Sequence, residues 1–319
     1  MRVKSIALHQ LEPVTDASTF SYPVGAGALT DSIRDVGLLQ PIAVPESGPP
    51  FRVVFGAKRI AAALELGWTD IPARLYAGMS GEEVLFARLH QDCFQRHYNP
   101  IEKAKVLRAF LEETKYTVAQ LCDEIAPKIG VPPTPEWVRK YLSLLEFDEQ
   151  VKLDLACGQL NPVQAFILLP FKPPDRTLIF EKVIKNCQPS VGDCREILDN
   201  LFDVSAISGQ SVLAILTGDK LGRILDSKAM KPTDRCNKIR SELRTLRFPY
   251  LSKMDADFRK ARAELAIDND IRITPPRFFE GNYLDVSFRA RNEPELRKML
   301  TSLESAGFVE LFKVVQGER

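Results

Sequence analysis

The spacing of apolar residues changes character twice along the 319-residue chain. Over residues 1–98, short apolar runs alternate between strand and helix periods. Lys4–Leu11 reads as a strand. Leu29, Ile33, Val36 and the Leu38–Leu39 pair predict a short helix closed by Gly37. Pro41–Val44 and Phe51–Phe55 are expected as short strands flanking a Glu-Ser-Gly-Pro-Pro loop. A helix follows from Ala57 to Leu66, and then a strand from Ile71 to Tyr76. Another helix begins after Ser80, its N-cap, and runs to Phe94.

From 99 to about 170 the period is helical throughout. Asn99 as N-cap, Pro100 in the first turn and Glu102 at N3 form a variant of the capping box, opening a helix to Thr114. Val118–Gly130 is a second helix whose end Pro127 disturbs. Thr134 caps a third, with Pro135 in its first turn and Val138, Leu142 and Leu145 as its buried face. Asp148–Cys157 and Asn161–Leu169 are two more. Beyond them, helices fill 175–230 and a long basic helix spans about 233–265. Ile271–Asn292 predicts two strands joined by a Gly281–Asn282 turn, followed by a helix over Pro294–Ala306 and a strand over Phe308–Val315. The expected class is α+β, in three parts: 1–98, 99–172 and 173–319.

Charge adds little, because 43 basic residues face 42 acidic ones for a net +1. That excludes a polybasic mode of binding but leaves room for a local basic face. The stripe Arg235, Lys238, Arg240, Arg244 and Arg247 reads as a solvated helix surface. The six cysteines form no C-x-x-C pair, and the closest two, Cys187 and Cys194, read as buried or idle thiols; His90 and His97, seven apart, have no obvious third ligand, so neither zinc nor haem is expected. The N-terminus has no signal-like apolar run and no segment approaches a membrane span, so a cytoplasmic, reduced protein is expected, with no membrane partner.

Three stretches carry candidate chemistry. At Phe55-Gly56-Ala57-Lys58-Arg59, a glycine separates a strand from a helix that opens with two cations. Free N–H groups at a helix start favour phosphate, and Arg59 can fork onto its oxygens. Ala62 is small where the helix must pack closely. The stretch is neither a Walker loop nor G-x-G-x-x-G. The second is Gln91–Ala104, where Gln95, Arg96 and His97 can reach phosphates and Asp92 can hold a metal ion, while capping alone accounts for Asn99 and Glu102. The third is the helix pair around Gly130, whose second member would offer Glu136, Trp137, Arg139, Lys140 and Ser143 to a DNA groove.

In this order, Gly-Leu-Leu-Gln-Pro-Ile, G-x-x-R-x-x-A (Gly56, Arg59, Ala62), Gln95-Arg96…Asn99-Pro100-x-Glu102 and a helix-turn-helix resemble the ParB/sulfiredoxin-like N-terminal domain with the ParB DNA-binding domain. The resemblance covers residues 1–170. It implies CTP with Mg2+ as ligand, with Gly56, Ala57, Lys58 and Arg59 at the triphosphate, Gln95 to Glu102 closing over it, Gln40 and Pro41 near the base, and Asp92 at the metal. It implies DNA as partner, a homodimer, chromosome or plasmid partition, and a nucleoid-associated place in the cytoplasm. The sequence departs where the family's acidic residue after the glycine is Ala57, where the N-terminal arginine box is missing from Leu11–Val24, and in a spacer before Asn99 one residue shorter. Slow CTP hydrolysis therefore stays open, and Ala57 excludes the nucleophilic cysteine of sulfiredoxins. Two alternatives remain: a kinase or NTPase of the same fold, and a nucleotide-free adaptor that meets a protein partner through 173–319.

Overall fold

The computed structural model describes residues 2–14, 19–25, 27–46, 48–95, 97–227, 229–265, 267–268 and 270–317, with the side chains of Arg2 and residues 92–95 outside that description. The protein is a helix-rich α+β chain of two compact units, 1–181 and 182–319.

The first unit opens with strand β1 (Arg2–Ala7), helix α1 (Ala28–Val36), strand β2 (Ile42–Pro45), helix α2 (Ala57–Glu65) and strand β3 (Asp70–Tyr76). The sheet runs β1-β3-β2, with β3 antiparallel to β1 and parallel to β2. Strict alternation along β3 sends Ile71, Ala73 and Leu75 to one face, where Ile42, Val44, Ile60 and Ala63 complete the core. The opposite face carries Ala43, packed with Val54 and with Val84 of helix α3 (Gly81–Gln95). Val36–Gly37 ends α1 as expected, with the Gly37 amide bonded to Ile33 O.

Phe51–Phe55 is not a strand. Its backbone pairing is limited to isolated bridges, Leu11 to Phe51 and Ala43 to Phe55, while Val53 and Val54 pack against the sheet. The cause is a buried arginine on α3. Arg88 Nε donates to Val54 O at 2.8 Å and its Nη2 donates to Val53 O, so those two acceptors are spent on a side chain. Lys4–Leu11 is likewise shorter as a strand than expected, since Leu8–Gln10 turns into a 3-10 helix.

Helices α4 (Pro100–Glu113), α5 (Val118–Gln120), α6 (Pro135–Ser143), α7 (Glu149–Ala156), α8 (Pro162–Leu168) and α9 (Pro173–Ile179) complete the unit. α5 continues as a π turn over Leu121–Ile125 and a 3-10 turn over Pro127–Ile129, the disturbance expected of Pro127. Gly130 then turns the chain at φ +65°, and the Val131 amide bonds back to Ala126 O at 2.9 Å. On α6 the buried residues are Val138 and Tyr141, followed by Leu144; Leu142 and Leu145 are only half-buried. The expected face is rotated because Tyr141 packs edge-on against Phe166 of α8, centroids 5.5 Å apart.

The second unit contains helices α10 (Lys185–Cys187), α11 (Val191–Ser208), α12 (Val212–Thr217), α13 (Asp219–Asp226), α14 (Pro232–Arg247) and α15 (Pro249–Glu264). Strands β4 (Arg272–Thr274) and β5 (Asp285–Ser287) and helices α16 (Glu293–Glu304) and α17 (Val309–Gln316) follow. The long basic helix is two helices, because Pro249 lacks an amide proton and Phe248 leaves the helical region at φ −126°, ψ 63°. Phe308–Val315 is not a strand but α17, with Leu311 and Val315 buried four residues apart. β4 and β5 pair antiparallel, though their connection includes a 3-10 turn at Arg277–Phe279 as well as Gly281–Asn282. Of the five basic residues of α14, Lys238 and Arg244 are solvated as expected, but the other three are not. Arg235 is buried and donates to the carbonyls of Asn186, Ile224, Ser227 and Met230. Arg240 pairs with Asp193 and Glu196, and Arg247 with Asp203. Cys187 and Cys194 are buried, and burial pushes both thiols up to about 12. No described helix is long and apolar enough to cross a membrane.

Candidate functional site

Gly56 joins the bridge residue Phe55 to α2 at φ +108°, a backbone state that side chains rarely adopt. A Cβ placed there would meet Ile42 Cγ2 at 2.8 Å and Ile42 Cβ at 3.1 Å. Glycine is thus fixed by the backbone and by β2 packing, before any ligand is considered. Gly56→Ala is expected to cost about 2–4 kcal/mol, from strain plus displacement of Ile42; denaturant unfolding with a loss under about 1 kcal/mol would contradict this account.

No side chain caps α2. Its first backbone bonds run from Arg59 N and Ile60 N to Gly56 O, at 2.9 and 3.0 Å. The preceding amides, of Ala57 and Lys58, belong to the set a helix start leaves for outside acceptors. A small cavity of about 50 Å³ lies beside Gly56 and Ala57, walled by Phe20, Ser21, Val54 and Arg88. Ala62 is fully buried, as its size predicts, but packs with Ile33 of α1.

A larger cleft of about 510 Å³ opens on the other side of Phe55. Gln40 and Pro41 form one wall, Arg59 another, and Arg74, Tyr76 and Gln91 a third. Arg59 Nη2 donates to Gln40 Oε1 at 2.7 Å and Nη1 to Pro41 O at 3.1 Å. Arg59 therefore ties the loop before β2 to α2, and burial draws its guanidinium below the ordinary value. Among the described side chains two arginines and no carboxylate line this cleft, so their field favours an anion. The Gln91 amide oxygen is buried there without a hydrogen-bond partner.

The structure brings Gln40, Pro41 and Arg59 together, and sets Gly56 and Ala57 on the adjoining cavity. Lys58 is half-exposed on the first turn of α2. Asp92, Gln95 and Arg96 fall outside the described side chains. Asn99 and Glu102 line neither cleft. They build the capping box of α4: Asn99 Oδ1 accepts from Glu102 N at 2.9 Å and Glu102 Oε2 from Asn99 N at 3.1 Å. The buried Glu102 also accepts from Tyr22 N at 3.1 Å, while Asn99 Nδ2 donates to Tyr22 O at 2.8 Å and Lys105 Nζ to Ser21 O at 2.9 Å. Among the described residues no group of three histidines, cysteines, aspartates or glutamates is placed to hold a metal.

Sequence reasoning missed Arg88, Lys105 and Tyr22, the residues that pin 19–23 between α3 and α4. For Arg88 a signal was present. It stands three and four residues after Leu85 and Val84, on the apolar stripe of α3, where an arginine needs buried acceptors.

In the helical part, of the residues expected to face DNA from α6, Glu136 is exposed while Trp137, Lys140 and Ser143 are half-buried. Arg139 is exposed. Lys140 pairs with Glu136 at 2.6 Å and lies 5.3 Å above the Trp137 ring. That pairing holds the Glu136 carboxyl below its ordinary value. Trp137 packs edge-on against Phe166, and the Ser143 hydroxyl donates to Arg139 O at 3.0 Å.

Residues 2–91 match the ParB N-terminal domain family. The chain is 29% identical to the chromosome-partitioning protein Spo0J of Thermus thermophilus over 157 residues, 49% of this chain and 55% of that protein. It is 32% identical to a probable chromosome-partitioning protein ParB of Coxiella burnetii over 141 residues, 44% of this chain and 46% of that protein. Among solved structures, a C-terminally truncated ParB from Caulobacter crescentus complexed to the centromeric parS site aligns over 61% of this chain and 98% of that one. The identity there is 19% and the TM-score 0.35. The chain spans about half the length of these two curated relatives.

Proposed function

We propose that this chain, a ParB-family member through residues 2–91, is a CTP-responsive DNA-binding protein of chromosome or plasmid partition. The observation that carries this reading is the joining, in one compact unit, of an anion-favouring cleft at Arg59 to a helix-turn-helix whose α6 presents Arg139 and Lys140. The triphosphate belongs at the start of α2, where the amides of Ala57 and Lys58 and the Lys58 ammonium meet its charge. The base belongs in the larger cleft, against the Gln40–Pro41 wall that Arg59 fixes. Gln95 and Arg96 are assigned to the phosphates by their motif alone. A magnesium ion would arrive on the phosphate oxygens, with Asp92 assigned to it by its place in the sequence alone, since no described carboxylate lines either cleft.

The test is calorimetric titration with ATP, GTP, CTP and UTP, each with Mg2+, beside Arg59→Ala. CTP is expected to bind the unaltered protein and to bind the variant roughly 30-fold more weakly, about 2 kcal/mol, because the loop anchor and the cation are lost together. Failure of every nucleotide to bind would leave Gly56 as a structural junction and shift the reading to a nucleotide-free DNA-binding or adaptor protein.

A further inference from the structure

The second unit carries a surface that none of the motifs above involves. Along β4, β5 and the residues that join and follow them, side chains that face the core have neighbours that stay outside. Ile273, Phe279, Leu284 and Phe288 pack into the core formed with α15, α16 and α17. Next to each stands an exposed residue: Arg272, Phe278, Tyr283 and Arg289. Phe278 and Tyr283 are 52% and 53% exposed, large apolar areas to leave in water. The backbone holds them there. Phe278 and Phe279 both stand in the left-handed region, at φ 57° and 60°, a state that costs a bulky residue free energy and collects at binding sites. Phe279 offsets that cost by packing edge-on against Phe258, centroids 6.1 Å apart. Phe278 gains no such core contact, and the Arg277 guanidinium lies 4.9 Å over its ring. The Tyr283 ring rests against Gly281, where a Cβ would meet Tyr283 Cε1 at 2.8 Å. Charge completes the surface. Over 271–291 four arginines, Arg272, Arg277, Arg289 and Arg291, stand against two acids, Glu280 and Asp285. None of the four guanidiniums makes an ion pair or hydrogen bond with another described residue.

We propose that this face of the second unit binds an unpaired nucleic-acid strand, with bases stacked on Phe278 and Tyr283 and phosphates held by the four arginines. The surplus of uncommitted guanidiniums calls for a polyanion. The exposed rings call for flat partners with free faces. A duplex hides its base faces in its own stack, so rings of this kind favour a strand whose bases are open. Stacking accepts every base, since each has a π-face, so binding here is sequence-tolerant. This surface is separate from α6, which meets a duplex through cations and side-chain edges.

The experiment is fluorescence anisotropy of the full chain with labelled oligo-dT, labelled oligo-U and a labelled mixed-sequence duplex of equal length. The proteins are the unaltered chain, the α6 variant Arg139→Ala/Lys140→Ala, Phe278→Gly, Tyr283→Ala and Arg277→Ala. Single strands should still bind the α6 variant. Phe278→Gly and Tyr283→Ala should each weaken single-strand binding roughly tenfold and leave duplex binding as it was. Arg277→Ala should lower the slope of log affinity against log salt by about 0.7. Glycine suits φ 57°, so Phe278→Gly should melt no lower than the unaltered protein while it loses binding, which separates a lost ring from a lost fold. Binding of either strand supports the proposal, and the tighter of the two identifies the backbone it takes. Failure of both strands to bind the α6 variant overturns it. So does undiminished single-strand binding in a Phe278→Gly/Tyr283→Ala double variant. If those two changes instead split the chain into smaller species in sedimentation, the rings belong to a contact between copies and the proposal falls.

Discussion

Glu102→Ala is expected to destabilise the first unit by roughly 3–5 kcal/mol. Glu102 is 1% exposed and its carboxylate accepts from two backbone amides far apart in sequence, Asn99 N and Tyr22 N. Hydrogen bonds to a charged group contribute about 1.5–3 kcal/mol each. Alanine removes the acceptor from both amides, and the Tyr22 amide is left without it in a buried place. Lys105, itself buried, would keep its bond to Ser21 O and Asn99 Nδ2 its bond to Tyr22 O, so the segment is loosened at Tyr22 and not released. Glu102→Gln should cost less, since an amide oxygen still accepts one of the two bonds. Hydrogen exchange provides the residue-level check: the Tyr22 and Asn99 amides should lose protection in Glu102→Ala well before the β3 amides do. If the alanine variant loses less than about 1 kcal/mol, or if Tyr22 stays protected, Glu102 is not the clasp that joins 19–23 to α4.

That clasp marks the limit of what the chain's pattern made readable. Asn99, Pro100 and Glu102 signalled a capped helix start from sequence spacing alone, and the capping box formed as written. The same spacing said nothing about Tyr22, because a contact across eighty positions has no local signature. Short apolar runs were the other weak point. Phe51–Phe55 has strand composition, yet the carbonyls of Val53 and Val54 go to Arg88, a side chain more than thirty residues away. Phe308–Val315 is apolar at both two- and four-residue spacing, and burial of Leu311 and Val315 against the small β4–β5 layer decided for the helix. Pro249 was a visible breaker inside a run read as one helix. For the candidate site, the motif located Gln40, Pro41 and Arg59 in one cleft, since all three lie next to a strand or a helix start. It did not locate Gln91 and Arg74, whose place in the cleft follows only from the packing of α3 and the face of β3.

Replacing both Arg139 and Lys140 by alanine should weaken DNA binding, and the two cations should contribute unequally. Each lysine or arginine that neutralises a phosphate adds about 0.9 to the slope of log affinity against log salt. Arg139 is exposed and carries no ion pair among the described residues, so its charge is wholly available. Lys140 is engaged by Glu136 at 2.6 Å, and part of its attraction for a phosphate is spent in releasing that carboxylate. Arg139→Ala should therefore lower the salt slope by about 0.9, Lys140→Ala by distinctly less, and Glu136→Gln should strengthen binding by freeing Lys140. None of these changes touches Val138, Tyr141 or Leu144, the buried side of α6, so folding is left intact. Fluorescence anisotropy with a mixed-sequence duplex, repeated over a range of salt concentrations, reads all three slopes. Equal affinities and slopes for the double variant and the unaltered protein would remove α6 from the DNA interface. Equal losses for Arg139→Ala and Lys140→Ala would show instead that the Glu136–Lys140 pair opens freely and imposes no ranking on the two cations.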